Sequence, residues 1–193
     1  SIANPTKFMQ VWGKIFRKSI IYENRIGFNT KMQLSEDSDF TLHYLMHCSR
    51  ISISDTIFYH YSIDNESTMR SNADKKVLQY IEAMSITSKY IKKQHENVQL
   101  AFNDYILMHL NIACVRGIFC VNNKENYVKK IEHIKKIINT PVFKDAIKKF
   151  HIKNNFSART LPVFFMKYKL VHIASIIYIV RAYQNYIYEK SRN

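Results

Sequence analysis

The sequence predicts an α/β segment over residues 1–71 followed by an all-α region over residues 72–193, so that the chain is mostly helical overall. Three observations lead there. In the first third, short runs of apolar and β-branched residues at 11–16, 50–54 and 56–61 flank one amphipathic helix. Strand, helix, strand and strand is the makeup of an α/β layer, here an incomplete one. After Ser71 that pattern stops, and apolar residues recur three and four apart to the end of the chain. Only three Gly and three Pro occur in 193 residues, which argues against a glycine-rich phosphate loop and against a long disordered linker.

Taken in order, residues 1–10 lead in, with Pro5 suited to the first turn of a short helix. Residues 11–16 read as a strand and residues 19–23 as a helical turn, after which Gly27-Phe28 opens a loop toward Glu36. Ser35 reads as an N-cap, with Glu36, Asp37 and Asp39 in the first turn behind it. Leu42, Leu45 and Met46 fall on one face, so this helix runs to about Cys48 before the two strands at 50–54 and 56–61. In the second region Val77, Ile81, Met84, Ser88 and Ile91 make one helical stripe, and residues 103–120 are apolar nearly all round, as in a buried helix. Val128, Ile131, Ile134 and Ile138 form a further stripe, with Lys129, Lys130, Lys135 and Lys136 away from it. Thr140-Pro141 and Leu161-Pro162 mark helix starts, each with Pro in the first turn. Five or six helices are expected in this region.

Lys and Arg outnumber Asp and Glu 29 to 15, a formal charge of +14, which favours anionic partners without choosing among phosphates, anionic lipid and nucleic acid. The three cysteines, Cys48, Cys114 and Cys120, have neither a C-x-x-C nor a metal-ligand spacing with His, as expected of reduced residues in the cytosol. The chain starts at Ser1 without an initiator Met or a charged-then-apolar leader, and we read it as a fragment.

Two readings of Glu36, Asp37 and Asp39 compete, helix capping with dipole compensation and acid–base chemistry. Their neighbourhood bears on the choice. Upstream lie Val11-Trp12-Gly13-Lys14-Ile15-Phe16-Arg17 and Arg25-Ile26-Gly27-Phe28. Downstream lie Ile51-Ser52-Ile53, Ile57-Phe58-Tyr59-His60-Tyr61 and Asn65-Glu66-Ser67-Thr68-Met69. In this order the segments resemble the C-terminal half of the catalytic domain of bacterial family 2 glycosyltransferases, inverting enzymes with a GT-A fold. That family reads as Trp-x-Lys-hydrophobic-aromatic, a Phe before a short loop, Glu-Asp-x-x-Phe opening a helix, a short strand, then Tyr-x-Tyr and Asn-x-Ser. The match covers about a third of the chain.

The resemblance implies a GT-A fragment over residues 1–71 with a helical C-terminal region over 72–193, and transfer of a sugar from a nucleotide-sugar donor of the UDP-sugar class to a saccharide or lipid-linked acceptor. It places the general base at Asp37, with Glu36 bordering the acceptor site or holding Asp37. Trp12 would line the sugar pocket, Lys14 would meet diphosphate charge, and Tyr61 and Ser67 would shape and close the site. A divalent metal, Mg2+ or Mn2+, is expected in the intact enzyme, its main ligands preceding Ser1, with His60 as a candidate additional ligand. Asp37-Ser38-Asp39 also spells the Asp-x-Asp metal motif, but that motif ends a buried strand, whereas these residues open a helix. A fragment without its donor half is expected to be inactive.

The last helical region adds a membrane argument. Its longest uncharged run, residues 170–180, falls short of the ~20 residues that a span requires. Yet it is rich in Tyr and Phe and interrupted by Lys167, Lys169, His172 and Arg181, which fits either a helix lying on an anionic membrane or a core helix with a snorkelling rim. The expected location is the inner face of the cytoplasmic membrane, in polysaccharide or capsule biosynthesis. The competing reading is a basic helical module that docks on membrane or nucleic acid without catalysis; no stacked aromatics beside basic strands favour nucleic acid.

Overall fold

The computed structural model describes residues 8–60, 73–152 and 157–191. The element at its centre is α4 (Glu96–Ile112), which runs without a break into a π-helical stretch (Ala113–Ile118). Phe102, Tyr105, Ile106, Leu107, Leu110, Ala113, Cys114, Val115 and Ile118 are all buried, so this rod is covered on nearly every side. Its covering consists of α3 (Ala73–Ile91), α5 (Tyr127–Ile138), α6 (Pro141–Lys149) and α8 (Val171–Lys190), with α7 (Leu161–Lys167) bridging α6 and α8.

Each covering helix is built on one apolar stripe. Val77, Tyr80, Met84, Thr87 and Ile91 line the inner face of α3, three and four residues apart. Ile131, Ile134 and Ile137 do the same in α5, which starts where the Asn126 side chain accepts the Lys129 N–H at 2.9 Å. Phe143, Ala146 and Ile147 anchor α6, and Val171, Ala174, Tyr178 and Ala182 anchor α8. Tyr178 and Asn111, two of the polar residues that enter the core, are paired. Tyr178 donates to Asn111 Oδ1 at 2.9 Å, and the Asn111 amide donates to the Arg159 carbonyl at 3.0 Å.

The N-terminal part carries α1 (Lys18–Glu23) and α2 (Glu36–Met46). Met9, Met32 and Leu42 sit in the same apolar core as the helices beyond residue 72. A second, smaller cluster joins Ile26, Phe40 and Tyr44, with Phe28 stacked on Phe40 at 4.5 Å and Phe16 edge-on to Phe40 and Tyr44.

The expected α/β layer is not present: among the described residues there is no strand, and therefore no fragment of a GT-A sheet. Residues 11–13 are turned rather than extended, with Gly13 at φ 67° directly after Trp12, and residues 14–16 belong to no strand. Residues 51–60 are irregular, and Ile51, Ile53 and Ile57 are exposed. Their β-branched residues satisfy the local preference for a strand, but among the described residues they make none of the inter-strand hydrogen bonds that define one.

Candidate functional site

The mouth of α2 is shaped by Ser35, which precedes the helix in the left-handed region at φ 64°. The expected Ser35 side-chain cap is not made. Two residues into the helix the acidic side chains part company. Asp39 is buried and accepts from the Tyr90 hydroxyl at 2.7 Å and the Thr87 hydroxyl at 3.2 Å, while the His43 ring packs on Tyr90 at 4.1 Å. These contacts dock α2 on α3 and set its rotation.

Glu36 and Asp37 stay at the surface of the docked helix and line a cleft of about 260 Å3. Its rim is Gln33 to Asp37, and its floor is Tyr80 from α3 with His109 and Ile112 from α4. Gln79 donates to Gln33 across the rim, tying the loop before α2 to α3. Asp37 Oδ2 accepts the Val11 N–H at 3.5 Å. Glu36 makes no hydrogen bond or ion pair among the described residues. Lys14 lies within Coulombic reach of Asp37, but burial outweighs that attraction and lowers its pKa, and its ammonium donates to the Gln10 carbonyl.

The floor is uncharged, with Tyr80 and His109 as its polar groups beside Ile112. His109 Nδ1 donates to the Tyr105 carbonyl at 3.0 Å, and burial holds the imidazole pKa down at about 4, so the ring is neutral with Nε2 as an acceptor. Burial pushes the Tyr80 hydroxyl up to about 12, partly countered by the charge of Arg116. A second hollow, of about 270 Å3, lies between Phe119, Glu125, Tyr127, Lys130 and Tyr183. Its charged groups are already committed, Glu125 to Asn123 and His133 and Lys130 to the Asn123 carbonyl. The first cleft is therefore the better candidate, since Glu36 is unengaged there and Asp37 holds only one long hydrogen bond, from the Val11 N–H.

Of the residues singled out in the sequence, the structure brings Glu36 and Asp37 to this cleft and Lys14 to its edge. Trp12 is not part of the lining; it stacks on Tyr59 with ring centroids 5.9 Å apart. His60 is exposed in the irregular stretch. Tyr61 and Ser67 lie outside the described residues. Among the described residues no three His, Cys, Asp or Glu side chains gather as a metal would need. Tyr80 and His109 escaped sequence reasoning because a lone histidine and a tyrosine on apolar helices carry no spacing signal.

The chain is 22% identical over 186 residues to the Bacillus subtilis (strain 168) protein named "Putative glycosyltransferase EpsH". The alignment covers 94% of this chain and 53% of that protein, so the chain spans about half the length of the curated relative it matches. No family profile matches the chain, and no solved structure does.

Proposed function

We propose that this chain belongs to an inverting family 2 glycosyltransferase that moves a sugar from a nucleotide-sugar donor, of the UDP-sugar class, to a saccharide or lipid-linked acceptor in cell-surface polysaccharide biosynthesis. The observation that carries the reading is the position of Asp37, at the open end of α2 on a cleft whose far side is uncharged. The likeness to a protein named as a glycosyltransferase supports the same class.

In this mechanism Asp37 takes the proton of an acceptor hydroxyl as that oxygen attacks the anomeric carbon of the donor. The new glycosidic C–O bond forms on the face opposite the breaking bond to the diphosphate, and the nucleoside diphosphate leaves with the electron pair. Glu36 keeps the rim negative and holds the acceptor against Asp37. A divalent cation on the donor diphosphate, expected of the intact enzyme, would be held by residues outside this chain.

The proposed place of action is the inner face of the cytoplasmic membrane. Ile173, Ile176, Ile179, Val180 and Ile187 are exposed along α8, in a chain of formal charge +14, a combination suited to an anionic lipid surface. Among the described residues no helix is long and apolar enough to cross a membrane.

The test is to incubate the longer protein that contains this chain with nucleotide sugars and saccharide acceptors, and to follow nucleoside diphosphate release together with the anomeric configuration of the product. Release coupled to an inverted linkage is expected. Absence of any donor turnover, or retention of configuration, would overturn the reading.

A further inference from the structure

We propose that Tyr80 and His109, both from the helical region, form the hydroxyl-binding floor of this cleft, and that its ligand is a single neutral sugar ring, the terminal residue of the acceptor. This rests on the glycosyl-transfer reading of Asp37 and names the substrate class that the same site takes.

Tyr80 and His109 are each only 5% exposed, and both line the cleft. The bond from His109 Nδ1 to the Tyr105 carbonyl uses one ring nitrogen and leaves Nε2 as an acceptor. Neither Nε2 nor the Tyr80 hydroxyl has a hydrogen-bond partner among the described residues. A ligand that displaces water from the floor must pair with both atoms, because each buried polar group left unpaired costs about 1–3 kcal/mol.

The rim then restricts what the ligand is. Glu36 and Asp37 are acceptors only when ionised, Nε2 is an acceptor, and the phenol is both donor and acceptor. That set matches a molecule presenting several O–H donors. The two rim carboxylates repel phosphate, so the donor diphosphate is excluded from this cleft and the acceptor sugar takes it. Arg116 near Tyr80 and Lys14 near Asp37 are the cations whose charge reaches the cleft groups, and neither lines the hollow. Size agrees: about 260 Å3 is room for one sugar ring, the end of a longer acceptor extending out of the open cleft.

The test uses the longer protein that contains this chain, with p-nitrophenyl hexopyranosides as probes. Binding is read by saturation-transfer NMR and by the side-chain 15N resonances of His109. At least one hexoside is expected to bind and to move the Nε2 resonance. Tyr80→Phe, which removes only an oxygen, and His109→Gln are each expected to weaken binding about tenfold, the loss of one well-placed hydrogen bond. Failure of every hexoside to bind, an unmoved Nε2 resonance, or unchanged binding by a folded Tyr80→Phe protein would overturn the inference. Nucleotide-sugar turnover reads the other claim separately. A protein that binds the hexoside through Tyr80 yet releases no nucleoside diphosphate supports the floor and overturns glycosyl transfer.

Discussion

Replacing Asp39 by Ala strips the Tyr90 and Thr87 hydroxyls of their shared acceptor inside the α2–α3 contact. Two donors left without a partner should cost about 2–4 kcal/mol of stability, measured by urea unfolding. Asp37, two positions earlier, faces the cleft, and Asp37→Asn should leave the unfolding midpoint nearly unchanged. Local spacing showed that this turn is acidic. It could not separate the two aspartates, because the partners of Asp39 are 48 and 51 residues away in the chain. His109 adds a pH dependence of known sign. Its pKa is lowered from 6.5 to about 4 in the fold, so between those values the unfolded chain binds the proton and the folded one does not. The stabilising contribution is complete above pH 6.5 and is lost as pH falls toward 4, a decline on the order of 3 kcal/mol from this group. Equilibrium unfolding of His109→Gln across that window should show a shallower fall than the parent protein.

At the scale of elements, the turn from α7 to α8 closes with the Leu170 N–H on the Phe165 carbonyl at 2.8 Å and the Lys169 N–H on the Met166 carbonyl at 3.0 Å. This is a Schellman closure with Lys169 in the left-handed position at φ 62°, where glycine is the usual occupant. Lys169→Gly should therefore raise stability by about 0.5–1 kcal/mol in thermal unfolding, the relief of the left-handed strain exceeding glycine's extra chain entropy. The helices after residue 72 were legible because a one-sided apolar stripe at 3.6-residue spacing decides the conformation locally. Even so, the buried face of α5 is completed by Ile137, while Val128 of the expected stripe stays 66% exposed. The segments at 11–16 and 50–60 depart from the expected strands for the opposite reason. Strand formation depends on a partner that local sequence does not supply, and β-branched composition alone cannot provide it.

Across the whole molecule, the N-terminal residues and the helical region share one core through Met9, Met32 and Leu42. The cleft joins them as well, with its rim on α2 and its floor on α3 and α4. Only the rim was visible in the sequence, since residues 36, 80 and 109 meet through tertiary packing alone. Surface charge leads to a further expectation. The chain should bind vesicles containing anionic lipid more tightly at low salt, and Ile176→Glu with Val180→Glu should weaken cosedimentation with them about tenfold or more by removing apolar area and adding repulsion. The account stands on the carboxylate of Asp37 acting as the proton acceptor in glycosyl transfer, and the most direct measurement is the single-turnover rate of Asp37→Asn in the longer protein that contains this chain. The account predicts a loss of about a thousandfold or more, with acceptor binding and melting temperature near those of the parent protein. Transfer by that variant within about tenfold of the parent rate would contradict it.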